Sequence, residues 1–132
     1  MSTRLIDTSV WVSVLRGGAS PTLAKKVEAA LGDGTAAMTE PVWMELYCGV
    51  RGKRDLARLK NLRKLCQWLP INDACWKLSF EVARACREKG VNVPIPDVMI
   101  FACARHYEAE LLHEDKHFTQ IARAARAIKP VK

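Results

Sequence analysis

The sequence predicts an α/β fold: a parallel sheet with helices packed on its faces. Three observations point there. Short apolar runs alternate with stretches of ~10–15 residues patterned for helices, as in successive βαβ units. Two of those runs end at acids, Leu5-Ile6 at Asp7 and Leu111-Leu112-His113 at Glu114-Asp115. The 132 residues are 49% hydrophobic and 27% charged, which fits one domain with one core over residues 1–132.

Arg4-Leu5-Ile6 reads as the first strand, short but apolar. Thr8-Ser9 then caps a helix to Arg16, closed by Gly17-Gly18. Ser20 and Pro21 open a second helix, since a proline costs nothing in a first turn. Leu23, Val27, Ala30 and Leu31 form its apolar face, and Gly32-Asp33-Gly34 ends it. Thr35 to Met38 is a buried-type strand. Thr39-Glu40-Pro41 starts a third helix to about Gly49, with Val42, Leu46 and Gly49 on one side and Glu45 beside them. Arg51 to Arg54 reads as a basic loop. The basic helix after it carries Leu56, Leu59, Leu62 and Leu65 as its stripe. Trp68 to Ile71 reads as a strand, and Asp73 as the cap of a helix from Ala74 to Lys89, stopped by Gly90. Pro96 and Asp97 open a helix whose run Val98 to Ala104 has no polar side chain, so it should be buried nearly all round. Glu110 to His113 is a strand, Lys116 to Ala125 a helix, and Ala127-Ile128 a last edge strand before the basic tail, Lys129 to Lys132.

The formal net charge is +7. If four of the 14 acids share one pocket, ten remain against 21 bases, a field suited to a polyanion. The longest fully apolar run, Val98 to Ala104, is far short of a membrane span, and the N-terminus lacks a signal-peptide core. A cytoplasmic protein is expected. The five cysteines are odd in number and show no CxxC spacing, so they read as small buried hydrophobes. The tryptophans Trp11, Trp43, Trp68 and Trp76 fall in apolar patterns and read as core or interface.

Asp7 and Asp115 each follow a predicted strand, which places both at the carboxyl edge of the sheet. Ligands of such sheets bind there. Glu45 and Asp97 come from helices that can lean over the same edge. Each acid alone could be a helix cap or a solvated charge. Gathered together, they would repel by about 1 kcal/mol per pair at 4 Å in water and about 4 at an effective dielectric of 20. A divalent cation removes that repulsion. Oxygen ligands without a His or Cys pattern suit Mg²⁺ or Mn²⁺ rather than Zn²⁺, an arrangement suited to hydrolysis of a phosphodiester.

Leu5-Ile-Asp7-Thr8-Ser9-Val10-Trp11, Glu45 four residues before Gly49, Pro94-Ile-Pro-Asp97 and Glu114-Asp115-Lys116-His117-Phe118 together resemble the PIN-domain signature. More narrowly, the chain resembles the ribonuclease toxins of VapBC (type II) toxin–antitoxin modules over almost its whole length. That resemblance implies a Rossmann-like α/β/α sandwich and a Mg²⁺- or Mn²⁺-dependent endoribonuclease leaving 5′-phosphate and 3′-hydroxyl ends. It implies Asp7, Glu45, Asp97 and Asp115 as the catalytic acids, with Asp7, Asp97 and Asp115 on the metal and Thr8 or Ser9 supporting the first acid. It also implies a cognate antitoxin that inserts a segment into the toxin groove, and a homodimer. Many relatives carry a second acid two residues after the position of Asp115; here that residue is His117. Arg51, Lys53, Arg54, Lys116 and His117 are the candidate RNA contacts, and Arg58, Lys60, Arg63 and Lys64 of the basic helix could hold RNA phosphates or simply form a solvated face. His106 and His113 read as packed or solvated. The alternative reading is a non-catalytic RNA-binding or regulatory module on the same fold. A phosphatase using Asp7 as nucleophile would want another acid close behind it, and Thr8-Ser9-Val10-Trp11 offers none.

Overall fold

Four strands and seven helices make up residues 2–129, the part of the chain described by this computed structural model. Along the chain they are β1 (Arg4–Ile6), α1 (Thr8–Leu15), α2 (Pro21–Asp33), β2 (Ala36–Met38), α3 (Glu40–Gly49), α4 (Gly52–Lys64), β3 (Gln67–Trp68), α5 (Asp73–Glu88), α6 (Ile95–His106), β4 (Glu110–Leu112) and α7 (Lys116–Ala124). The strands pair in the order β3-β2-β1-β4, all parallel. The chain steps from β1 out to β3, then returns to the other side of β1 with β4. That reversal opens a crevice at the carboxyl ends of β1 and β4, the place where such sheets bind ligands.

The inner strands are apolar because helices cover them on both faces. Leu5, Ile6, Ala36, Ala37 and Met38 are all fully buried. Helix α6 fits the same logic: Val98, Ile100, Phe101, Ala102, Cys103 and Ala104 are buried, and it packs chiefly on α5. Pro94 is its N-cap, and Pro96 lies in its first turn, where no amide is needed. The α2 helix begins at the Ser20 cap, whose hydroxyl accepts the Leu23 N–H, and ends at Gly34 with φ +77°.

Several sequence expectations need correction. The strand expected over Trp68 to Ile71 is only Gln67–Trp68. Pro70 has no amide for the ladder. The Leu69 N–H still reaches Met38 O at 2.8 Å, but the Ile71 N–H turns to the Glu40 carboxylate at 2.7 Å. Arg51 to Arg54 is not a loop: Arg51 is the N-cap of α4, and Lys53 and Arg54 lie in its first turn. Gly52, with φ +81°, makes the turn into that helix. Asn72 rather than Asp73 caps α5, its Oδ1 accepting the Cys75 N–H at 2.9 Å. Ala127-Ile128 forms no strand, because Arg105 draws in the carbonyls of Ala125 and Ile128. Leu65 leaves the α4 stripe and is 63% exposed, and Cys48 is exposed too, unlike Cys75, Cys86 and Cys103. Of the basic tail, residues 130–132 lie outside the described part.

Candidate active site

The four acids named from sequence lie near the carboxyl edge of β1 and β4: Asp97 and Asp115 come within ligand distance of one another, while Asp7 and Glu45 stand close enough for their charges to be felt. Asp7 directly follows β1, and its N–H donates to Leu112 O of β4 at 3.0 Å. It is buried, and it caps α1 through Oδ2, which accepts both the backbone N–H and the hydroxyl of Ser9. Asp7 therefore caps α1 from a position at the sheet edge. Asp115 plays the same part at α7: its Oδ1 accepts the His117 N–H at 2.9 Å. Asp97 lies in the first turn of α6, with its side chain 14% exposed. Glu45 reaches in from α3, and the Thr8 hydroxyl donates to its Oε1 at 2.9 Å.

His117 is drawn into the cluster. Its Nδ1 lies 3.1 Å from Asp97 Oδ2 and 3.3 Å from Asp115 Oδ1. Asp97, Asp115 and His117 each offer a donor atom within 4.8 Å of the others. The sequence places His117 near the site but gives no sign that its ring spans two acids. The Asp115 cap holds the backbone of His117 at the start of α7, from which the ring reaches Asp97 on α6.

The electrostatics agree with a crowded set of carboxylates. Partial burial pushes the Glu45 pKa up, the Thr8 hydrogen bond resists, and the charges of Asp7 and Asp97 push it further up. Burial likewise raises Asp97, its bond to His117 resists, and Asp7 and Asp115 add to the rise. Among the described residues, His117 is the one basic side chain within ion-pair distance of these acids. Such a set fits a small divalent cation, which would take oxygen donors and the imidazole nitrogen and relieve the repulsion.

Beside the acids, a cavity of about 490 Å³ runs between α1, α3 and α4. Its floor includes Val12, Leu46 and Leu59, its rim carries Arg16, Arg51 and Arg58, and Glu45 stands at its edge. Of the basic residues named from sequence, Arg51 and Arg58 line this groove. Lys53, Arg54 and Lys116 are exposed and do not. Arg16 was not singled out by sequence, since as the C-cap of α1 it carries no pattern of its own. His106 bonds Asn72 at 3.3 Å, and the His113 ring packs on Phe118, so neither joins the acids.

The molecule is an α/β domain with a four-stranded parallel sheet and acids after β1, on α3, on α6 and before α7. The chain matches the PIN domain family over residues 4–124, and it belongs to that family. It is 27% identical over 109 residues to ribonuclease VapC21 of Mycobacterium tuberculosis, covering 80% of this chain and 79% of that one. Among solved structures, it resembles FitAcB from Neisseria gonorrhoeae with a TM-score of 0.75 at 17% identity, over 90% of this chain and 93% of that one. It also resembles DNA-bound VapBC from Salmonella typhimurium with a TM-score of 0.71 at 14% identity, over 100% and 96% of the two chains. The Rossmann-like α/β/α architecture expected from sequence is the one observed.

Proposed function

We propose that the chain is a metal-dependent endoribonuclease, the toxin of a VapBC-type (type II) toxin–antitoxin module, acting as one domain in the cytoplasm. The convergence of Asp7, Glu45, Asp97 and Asp115 at one sheet edge carries the reading. The similarity to a ribonuclease toxin and the toxin–antitoxin neighbours support it.

Asp7, Asp97 and Asp115 would hold the ion, Mg²⁺ or Mn²⁺, with His117 adding a nitrogen donor. Such an ion supplies activation of water and neutralisation of phosphate charge. The chain's own groups do the rest. Ser9 fixes the Asp7 carboxylate in one orientation, and Thr8 does the same for Glu45. Glu45 orients the attacking water, and its raised pKa brings it nearer to neutral pH as a proton acceptor. Arg51, with Lys53, Arg54 and Lys116, meets the RNA backbone.

The groove beside Glu45, with its apolar floor and basic rim, suits a segment of a cognate antitoxin. The exposed ring pair of Trp76 and Phe80 on α5 offers apolar area for a homodimer. No described helix is long and apolar enough to cross a membrane.

Incubating purified protein with RNA and Mg²⁺ or Mn²⁺, and sequencing the ends, tests the reading. Cleavage with 5′-phosphate and 3′-hydroxyl ends is expected, and Asp97→Asn should abolish it with the fold intact by circular dichroism. Cleavage that survives that change, or persists in EDTA, rules the mechanism out. RNA binding without cleavage under any metal would instead establish the regulatory module.

A further inference from the structure

A second concave site lies across α3 from the acids. Its volume is about 500 Å³, and it is lined by Trp43 and Tyr47 of α3, by Lys60, Arg63 and Lys64 of α4, and by Cys66. Trp43 and Tyr47 are one helical turn apart, and Glu45 is two residues from each. At 3.6 residues per turn that is about 200° around the helix. The acids and this pocket therefore face opposite sides of α3, separated by its ~10–12 Å thickness.

Arg63 is the centre of the pocket. Its guanidinium carbon lies 4.1 Å from the Trp68 ring centroid and 4.8 Å from that of Trp43. Two indoles hold one planar cation, which limits the side-chain freedom a ligand would otherwise have to freeze. Even so, Arg63 stays exposed. Among the described residues, no carboxylate lies within ion-pair distance of Lys60, Arg63 or Lys64. Packing explains why Arg63 covers the indoles. It does not explain three cations gathered at a concavity with no acid to answer them. Tyr47 packs against Trp43 at 5.7 Å between centroids and is still 45% exposed, which leaves ring surface open at the pocket.

We propose that this pocket is a subsite for single-stranded RNA. Arg63, flanked by Lys60 and Lys64, takes a backbone phosphate, and Tyr47 offers its ring to an unstacked base. Single strands are indicated because a paired base has no free face for a ring. An acidic peptide would answer the cations but leave Tyr47 without a partner. The inference rests on the ribonuclease reading and deepens it. The pocket grips substrate away from the scissile bond, so only RNA long enough to cross α3 uses it.

The test compares wild type, Arg63→Gln, Arg63→Lys and Tyr47→Ala, with folding checked by circular dichroism. Fluorescent single-stranded RNA of about 20 nucleotides is titrated by anisotropy in EDTA across a salt series. Cleavage of that RNA and of a dinucleotide is then measured with Mn²⁺. Arg63→Gln should weaken binding and lower the slope of log affinity against log salt by about one. Arg63→Lys should recover the slope but not all the affinity, because a lysine loses the stacking. Tyr47→Ala should cost roughly fivefold or more in affinity with the slope unchanged. In cleavage, Arg63→Gln should raise KM on the long RNA, leave kcat alone and leave the dinucleotide untouched. Equal affinities and slopes for wild type and Arg63→Gln would overturn the subsite while wild-type cleavage still upheld the nuclease. Loss on polyglutamate but not on RNA would overturn it in favour of an acidic protein partner. If wild type neither binds nor cleaves RNA, the ribonuclease reading and the subsite fall together.

Discussion

The imidazole Nδ1 of His117 lies 3.1 Å from Asp97 Oδ2 and 3.3 Å from Asp115 Oδ1, joining the first turns of α6 and α7 across the sheet edge. In metal-free protein this ring is the basic side chain nearest the cluster. His117→Asp would put a fifth carboxylate there. Each added like-charge contact costs between about 1 and 4 kcal/mol according to how much water screens it. With the His117 side chain 31% exposed, the lower end applies. The variant should melt lower than wild type in EDTA and gain more in Tm from saturating Mg²⁺. An unchanged melting temperature in EDTA would show that the ring does not relieve the acids.

Thr8 gives a separate handle on Glu45. Its hydroxyl donates to Glu45 Oε1 at 2.9 Å and resists the rise that burial imposes on the Glu45 pKa. The bond is exposed and water screens it to about 1 kcal/mol or less, so Thr8→Val should lower kcat by roughly two- to fivefold. The Glu45 pKa should rise further, moving the acid limb of the pH–rate profile to higher pH. Thr8→Ser should restore both. A profile that keeps its acid limb in Thr8→Val would separate Glu45 from that ionisation.

The cysteines should divide by environment. Burial pushes the Cys66 thiol up to about 11 and the Cys103 thiol up to about 12, whereas Cys48 is exposed. Thiolate is the reactive form. A short iodoacetamide pulse at pH 8 should label Cys48 first and leave Cys103 unlabelled until the chain is unfolded. Mass spectrometry of the peptides reads the order; early labelling at Cys103 would mean that α6 opens in the native state.

What the sequence made legible was local. Leu5-Ile6 announced a strand because central parallel strands are continuous apolar runs, Leu111-Leu112 announced the edge strand β4 by an apolar run of its own, and the acids after both announced the sheet edge. Pro96-Asp97 before an apolar run marked a helix start with a charge at its mouth. The pattern failed where a local choice depends on a distant partner. The end of β3 is decided by Glu40, 31 residues from Ile71, and the irregular stretch after α7 by Arg105. Spacing could bring His117 near the site but could not show its ring spanning Asp97 and Asp115, which depends on the register of α6 against α7. Arg63 looked like one more cation on a basic helix. Its stacking needs Trp43 and Trp68 from two other elements to meet there.

Asp97 sets function against stability. Burial is the main reason its folded pKa lies above the ordinary 3.8, and the charges of Asp7 and Asp115 add to it. A carboxyl with a raised folded pKa favours the folded state in its protonated form. That contribution is complete below the unfolded pKa and is lost as pH rises through the folded one. In EDTA, wild type should therefore lose stability relative to Asp97→Asn as pH is raised from about 3.5 through the raised pKa, and Asp97→Asn should melt higher at pH 7. The gap should close at the acid end, where Asp97 is neutral in both states. Asp33 works in the opposite sense, since its bond from the Thr35 hydroxyl lowers its pKa, so acid costs the two proteins that contribution equally. Melting curves of both proteins across pH in EDTA decide the matter. If Asp97→Asn is no more stable at pH 7, the His117 contact already compensates the carboxylate. Added Mn²⁺ should then raise the melting temperature of wild type more than that of Asp97→Asn, because the amide variant has lost one anionic ligand to the ion.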